Sequence, residues 1–143
     1  MDEQTEYRNT DLDLTSPDDL TALAEQLEKR GLALMRRVVQ ISKVEWFCGF
    51  SWGGGWFTEA EQSINSMLSA VESLEPQWRS AWDASSLRVF DIGYDCREEP
   101  FAFRQQLSTE TLSRLAAVGA TLRWTLYADR NQPYDAEESS PSE

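Results

Sequence analysis

The sequence predicts an α+β fold in which an antiparallel sheet of about five strands carries its helices on one face. The first observation behind this prediction is that residues 87–127 alternate strand-forming segments with a polar break and a capped helix. The second is that helical patterns near residues 20–30 and 59–74 enclose another pair of strand-like segments. Because short breaks join the strand pairs, antiparallel pairing is expected, with the element order α-β-β-α-α-β-β-α-β. Two ββα-like halves packed side by side are the alternative.

Signals in the first third of the chain delimit one helix and two strands. Residues 16–19, SPDD, are typical of a helix start, because serine accepts free N–H groups and proline fits the first helical position. Gly31 is expected to end that helix. Residues 32–46 are rich in valine and isoleucine and favour a strand, and residues 46–52 favour a second strand paired with it.

The middle of the chain is helical. Residues 58–61, TEAE, form a capping box that opens the longest predicted helix, which runs to about residue 74. Its apolar residues share one narrow face, so the helix should lie on a sheet rather than inside a bundle. Pro76 starts a short helix in which Trp78 and Trp82 are one turn apart, a spacing typical of side chains that clamp a helix to a core.

The last third supplies the remaining strands. Strands are predicted at residues 87–96 and 101–107, separated by the polar break REEP. Ser108 is expected to cap a helix that Gly119 ends. Residues 121–127 then close the unit as a strand. Its apolar residues on one face are Leu122, Trp124 and Leu126.

The net charge of −12 is concentrated near the two ends of the chain. Residues 1–19 carry −6 and residues 129–143 carry −4, which leaves −2 for the residues between them. We therefore expect a disordered acidic N-terminus at residues 1–11, a single domain at 12–128 and a disordered acidic tail from residue 129. The charge argues against nucleic-acid binding, since phosphates need cationic partners, and it permits a protein partner with a basic surface.

Composition also indicates where in the cell the protein is expected to be located. Cys48 and Cys96 provide neither a disulfide framework nor a zinc-binding spacing, which favours a reducing, cytoplasmic location. The acidic N-terminal sequence MDEQTEYRNT is not that of a signal peptide. No apolar run approaches the roughly 18 residues that span a bilayer, so no membrane association is expected.

Histidine is absent, and this removes Ser-His-Asp and Cys-His nucleophile systems and the usual zinc sites. Paired carboxylates are the remaining candidates for acid–base chemistry, at Asp91 with Asp95 or at Glu98 with Glu99. On a strand, Asp91 and Asp95 share a face and lie two strand repeats of about 6.6 Å apart. Gly93 lies between them and leaves an open spot on that face. That separation exceeds the usual spacing for glycoside hydrolysis. A solvated outer sheet face is the preferred interpretation, with an acidic binding surface, and catalysis or metal binding, as alternatives.

Residues 52–56, WGGGW, form the most flexible point of the sequence. They lack both the Lys-Ser/Thr of a P-loop and the GxGxxG spacing of a dinucleotide turn, so a mobile loop tip is predicted. The flanking Trp52 and Trp56 either pack inward or present an aromatic contact surface to a partner.

Four segments of the sequence form a recognisable pattern: the opening DLDLTSPDDLTALAEQLEKRGL, then SMLSAVESLEPQWRSAW, FDIGYDCREEPFAF and LSTETLSRLAAVGATLRWTLY. They resemble a group of small bacterial proteins of the immunity type. The resemblance covers about residues 10–128, and the closing helix and strand are also similar to the DUF4279 type of domain. It implies an antitoxin-like partner of a polymorphic toxin and supplies no active-site residues.

Together these observations predict a cytoplasmic, non-enzymatic binding protein that neutralises a cognate bacterial toxin, with no cofactor, no metal ligand and no catalytic residue. The residues expected to meet a basic toxin are Asp91, Asp95, Glu98 and Glu99, with Trp52 and Trp56 as anchors. Two alternatives are an acidic mimic of nucleic acid that inhibits a nucleic-acid-binding protein, and a small metal-dependent hydrolase.

Overall fold

Five strands form one sheet in the computed structural model of the chain, which describes residues 4–129. Numbered along the chain, they are β1 Glu6–Ser16, β2 Leu32–Ser42, β3 Glu45–Trp52, β4 Leu87–Asp95 and β5 Thr121–Tyr127. Their order in the sheet is β2-β3-β1-β4-β5, and every neighbouring pair is antiparallel except β4 with β5. The predicted α+β fold with a mostly antiparallel sheet is confirmed. The predicted acidic tail lies, beyond Asp129, outside the described residues.

Strand β1 lies at the centre of the sheet, between β3 and β4. The prediction of a disordered N-terminus is therefore wrong from Glu6 onward. The physical reason is alternation, because the even-numbered residues from Thr10 to Ser16 are buried on one face of the sheet. Asp11 and Asp13 point to the opposite face. The acidic residues of this segment thus belong to the folded domain and not to a solvated tail.

Four helices accompany the sheet: α1 Thr21–Lys29, α2 Ala60–Glu72, α3 Pro76–Asp83 and α4 Thr109–Ala117. The apolar face of α2 packs on the apolar face of the sheet, as its narrow stripe predicted. Fully burying one such side chain stabilises the fold by about 1.5–3 kcal/mol. Fully buried residues of this core include Leu12, Phe50, Ile64, Met67, Leu68, Trp82 and Phe90.

Side-chain hydrogen bonds lie at the starts of α1 and α4, and the start of α1 is displaced from the prediction. Ser16 still belongs to β1, so α1 begins only at Thr21. There the Asp19 carboxylate accepts the Thr21 N–H at 2.8 Å. Helix α4 begins as predicted, with Ser108 Oγ accepting the Thr111 N–H at 3.1 Å.

The predicted strand at residues 101–107 is wrong. This stretch has no regular structure and, with residues 96–100, forms a segment beside β4 and β5 that we call the strap (residues 96–107). Phe103 packs edge-on against Tyr94, with ring centroids 5.3 Å apart, instead of pairing in the sheet. The connection from β4 to β5 therefore consists of the strap and α4, and such a helical crossover makes the two strands parallel rather than antiparallel.

Candidate binding surfaces

Asp91 and Asp95 lie on the sheet face opposite the buried core, as their spacing along β4 predicted. Both carboxylates are already paired with arginines of neighbouring strands. Asp91 accepts hydrogen bonds from Arg123 Nε at 2.9 Å and from Thr125 Oγ1 at 2.7 Å. Asp95 Oδ1 lies 3.2 Å from Arg8 Nη1. Neither residue presents an unpaired carboxylate to a partner.

Three aspartates and two arginines form a charged group at the middle of this face. We call it the sheet-face cluster: Asp11, Asp13, Arg36, Asp91 and Arg123. The Arg123 guanidinium contacts both Asp13 and Asp91. Arg36 Nη2 lies 3.3 Å from Asp13 and 3.7 Å from Asp11. Only 6% of the Asp13 side chain is exposed, and a carboxylate so far removed from water needs charged partners of this kind.

Two glycines leave room for this arrangement. A Cβ at Gly49 would lie 3.0 Å from Asp13 Oδ1 and 3.1 Å from Arg36 Nε. A Cβ at Gly93 would lie 3.1 Å from Asn9 Oδ1 and 3.2 Å from the Tyr127 ring. The open spot expected at Gly93 is therefore filled by side chains of the adjacent strands, and no recess exists there between Asp91 and Asp95.

Four members of the sheet-face cluster were missed at the sequence level. Asp11 was placed in the acidic N-terminus that was predicted to be disordered, and no contact of Asp13, Arg36 or Arg123 was predicted. The signal that would have placed the two aspartates is the strict alternation in TDLDLT, residues 10–15, which is typical of a half-buried strand.

Burial raises the pKa of Asp11 above its ordinary value. The charge of Asp13 raises it further, as does that of Asp91, while Arg36 and Arg123 lower it. A carboxyl group whose pKa is higher in the folded than in the unfolded chain binds more protons in the folded state. Its ionisation therefore costs stability as the pH rises through the unfolded and then the folded pKa.

We expect Asp11→Asn to raise the free energy of unfolding at pH 7 by less than about 1 kcal/mol and to leave it unchanged near about pH 3. The amide retains an oxygen for Asn9 Nδ2, which lies 3.0 Å from Asp11 Oδ1. Urea unfolding at the two pH values measures the difference.

Asp19→Asn is the matched control for this prediction. Hydrogen bonds from Thr21 lower the pKa of Asp19, so its ionisation favours folding, and the substitution should reduce stability at pH 7. A loss of stability in Asp11→Asn at pH 7 would contradict the assignment of Asp11 as a destabilising charge.

Trp52 and Trp56 flank a cavity of about 400 Å³ at the end of β3. Trp56 is 94% exposed, whereas Trp52 is partly buried and its ring tilts against Phe57 at a centroid distance of 6.5 Å. The sequence left inward packing and an exposed contact surface as alternatives. In the structure each alternative applies to one residue, since Trp52 packs inward and Trp56 faces solvent.

One wall of this cavity is polar. The Tyr7 hydroxyl lies 2.7 Å from Thr10 Oγ1 and 2.6 Å from Ser63 Oγ, so three hydroxyl groups share hydrogen bonds beside the two tryptophans. Burial raises the pKa of Tyr7 above its ordinary value. The phenol is therefore neutral at pH 7 and can both donate and accept a hydrogen bond.

Strand β1 has a free edge toward the same cavity. Its pairing with β3 runs only from Asp11 to Ser16, while its pairing with β4 continues to Glu6. Residues 7–10 therefore line the cavity without a β3 partner. The loop that follows β3 is held at its base, where the Gly53 N–H donates to the Gly31 carbonyl at 2.9 Å.

The strap side of the domain carries a second recess, of about 420 Å³. Glu98 and Glu99 lie on the strap, and the Glu99 carbonyl accepts the Thr5 N–H at 2.7 Å. Exposed apolar side chains of the strap and of β5 border the recess, and the sequence did not single them out as a surface. They are Phe101, Phe103, Trp124 and Leu126.

The six predicted partner-binding residues thus lie in three separate places. Asp91 and Asp95 are on the sheet face, Trp52 and Trp56 are at the cavity beyond β3, and Glu98 and Glu99 are on the strap. They do not form one continuous site.

Within residues 4–129, no group of three or more acidic or cysteine side chains is arranged to hold a metal ion. In the same range, no helix is both long and apolar enough to cross a bilayer. Comparisons of the chain with protein-family models, curated proteins and solved structures found no match.

Proposed function

We propose that this chain is a cytoplasmic, non-enzymatic binding protein that neutralises a cognate bacterial toxin by direct complex formation. The observation that carries the proposal is the exposed Trp56 at the mouth of the preformed cavity beyond β3. Tryptophan is one of the residue types enriched among the few positions that carry most of the binding energy of protein interfaces. The resemblance of about residues 10–128 to immunity-type proteins supplies the class of partner.

The cavity suits a protein side chain or loop tip better than a flat contact. A projecting group of the toxin would pack against Trp56 and Trp52 and meet the hydroxyl groups of Tyr7 and Ser63 at the polar wall. The net charge of −12 favours a basic partner, because long-range attraction speeds the encounter and discriminates against acidic proteins.

The arginine pairing on the sheet face favours toxin binding over nucleic-acid mimicry. A mimic must display unpaired carboxylates spaced like phosphates over the folded domain. In the sheet-face cluster three carboxylates share two guanidinium groups, which leaves little net charge.

We expect Trp56→Ala to weaken binding to the cognate toxin by about 30-fold or more, the loss typical of a central aromatic anchor. The probe is the product of the gene adjacent to this one in its source genome, purified and titrated calorimetrically. Phe101→Ala is the matched control, since Phe101 is another fully exposed aromatic residue but lies on the strap. It should leave the affinity unchanged.

Growth rescue tests the same proposal in cells. Co-expression of this chain should rescue cells from the neighbouring gene product, and the two proteins should elute together in gel filtration. Truncation after Asp129 should preserve rescue, whereas a mimic whose charge resides in the tail would lose it. A neighbouring gene product that is harmless when expressed alone contradicts the proposal.

A further inference from the structure

Among residues 4–129, strand β5 forms one edge of the sheet and presents a regular open ladder. The Tyr127 carbonyl accepts the N–H of Cys96, which follows β4, so the backbone groups of Tyr127 point toward β4. Backbone groups alternate between the two sides of a strand, so Leu122, Trp124 and Leu126 direct theirs outward. Pairing with β4 shows no register shift, and β5 contains neither proline nor glycine. Such an edge is a template for another strand.

The opposite edge of the sheet has the features that discourage strand addition. Pairing of β2 with β3 is broken by register shifts at three places along the strand. The exposed residues of β2 include Arg36 and Arg37, which are adjacent in the sequence. Irregular pairing and exposed charge both hinder edge-to-edge contact. Of the two edges, β5 is therefore the one suited to pairing.

The sequence of β5 is complementary to itself in an antiparallel arrangement. With Trp124 opposite its copy, Leu122 faces Leu126, Arg123 faces Thr125 and Thr121 faces Tyr127. Apolar residues then meet on the core side of the sheet, and no like charges are directly opposed. The one charged side chain of β5, Arg123, is already paired with Asp13 and Asp91.

The exposed side chains around this edge would bury one another. Trp124, Leu126 and Phe101 project into solvent next to the free ladder, and Tyr94 also lines the recess that they border. Contiguous exposed apolar surface is uncommon on monomeric proteins and marks an association site. A two-fold axis that is perpendicular to the sheet and passes between the two Trp124 residues brings the two patches together on the same side of a continuous sheet.

We propose that two copies of this chain associate through their β5 strands, which pair antiparallel about Trp124 to make one ten-stranded sheet. The occupant of the open edge is thus a second copy and not a strand of another protein. This inference is independent of the proposed function, because the cavity at Trp56 lies beyond β3, and β1 and β4 separate β3 from β5.

Light scattering coupled to gel filtration, run across two decades of concentration on the full chain, tests the proposal. The expected mass is twice the chain mass of 16.4 kDa. Trp124→Lys should reduce it to a single chain. Ile41→Lys on β2 is the matched control, because both residues are 54% exposed, and it should keep the double mass. Circular dichroism checks that both variants are folded.

A second pair of variants isolates the backbone contribution. Leu126→Pro removes an outward N–H and the side chain, whereas Leu126→Ala removes only the side chain. Strand pairing predicts that proline abolishes the dimer and that alanine only weakens it. A single-chain mass for the unmodified protein overturns the proposal. Larger oligomers would also overturn it, as would loss of the dimer in Ile41→Lys instead of Trp124→Lys. An equal effect of Leu126→Pro and Leu126→Ala on the dimer would overturn it too.

Discussion

Replacing Trp82 with alanine is expected to lower the free energy of unfolding by about 4 kcal/mol. Trp82 is fully buried and is among the largest side chains of the core. Its indole Nε1 donates to the Val118 carbonyl at 2.9 Å, which ties α3 to the end of α4. Alanine would remove the packing, leave a cavity and leave a buried carbonyl without its donor.

The surroundings of Trp82 limit how far this cavity could collapse. Arg88 at the start of β4 donates from Nη1 to the carbonyls of Trp82 and Ser85, at 3.1 and 2.7 Å. Its Nε donates to the Gly119 carbonyl at 3.0 Å. Because one guanidinium fixes the end of α3 and the end of α4, the walls cannot move together freely, and the loss should lie toward the upper part of the usual range.

Two further variants separate the contributions. Trp82→Phe retains most of the apolar volume and loses the hydrogen bond, so we expect a smaller loss of about 2 kcal/mol. Trp56→Ala, at an exposed tryptophan, should change stability by no more than about 0.5 kcal/mol. Urea unfolding followed by circular dichroism measures all three. A loss below about 2 kcal/mol in Trp82→Ala would show that the α3–α4 corner is less tightly packed than its contacts indicate.

Trp82 also illustrates what the sequence could predict. Its spacing from Trp78 and the apolar stripe of α2 are local patterns with the helical period, and both led to the correct buried faces. Strand β1 has an equally clear local pattern. It was missed because seven acidic residues in the first 19 dominated the composition of the segment, and composition does not reveal that alternate aspartates point away from a core.

The strap was mispredicted for a reason that lies in the topology. Residues 101–107 have the aromatic composition of a strand, but β4 already has β1 on one side and β5 on the other. Neither side of β4 is therefore left for a hairpin partner formed by the next segment of the chain. Which strands flank β4 depends on contacts between distant parts of the chain, and no local pattern encodes them.

The candidate surfaces depend on the same long-range contacts. Asp91 was identified from its strand position, yet its partner Arg123 is 32 residues away, and the contact of Arg123 with Asp13 spans 110 residues. The sequence therefore located a carboxylate correctly but not the guanidinium that neutralises it. Trp52 and Trp56 were placed together correctly because they flank one short loop.

Removing the Arg123 guanidinium is expected to cost about 3 kcal/mol of stability, because it leaves two poorly exposed carboxylates without their shared partner. Arg123→Met keeps much of the side-chain volume and deletes the charge. Arg8→Met is the matched control, since Arg8 and Arg123 pair with aspartates on the same sheet face and are 42% and 45% exposed. The Asp95 partner of Arg8 is much better hydrated than Asp13, so this variant should lose less than about 1 kcal/mol.

A second substitution tests whether the loss of stability in Arg123→Met arises from the missing charge rather than from packing. Adding Asp13→Asn to Arg123→Met removes one of the two carboxylates that have lost their contact with Arg123, so the double variant should be more stable than Arg123→Met alone. Urea unfolding of the single and double variants measures the difference. If the double variant is the less stable one, then Arg123 stabilises the sheet through its aliphatic stem and not through its charge.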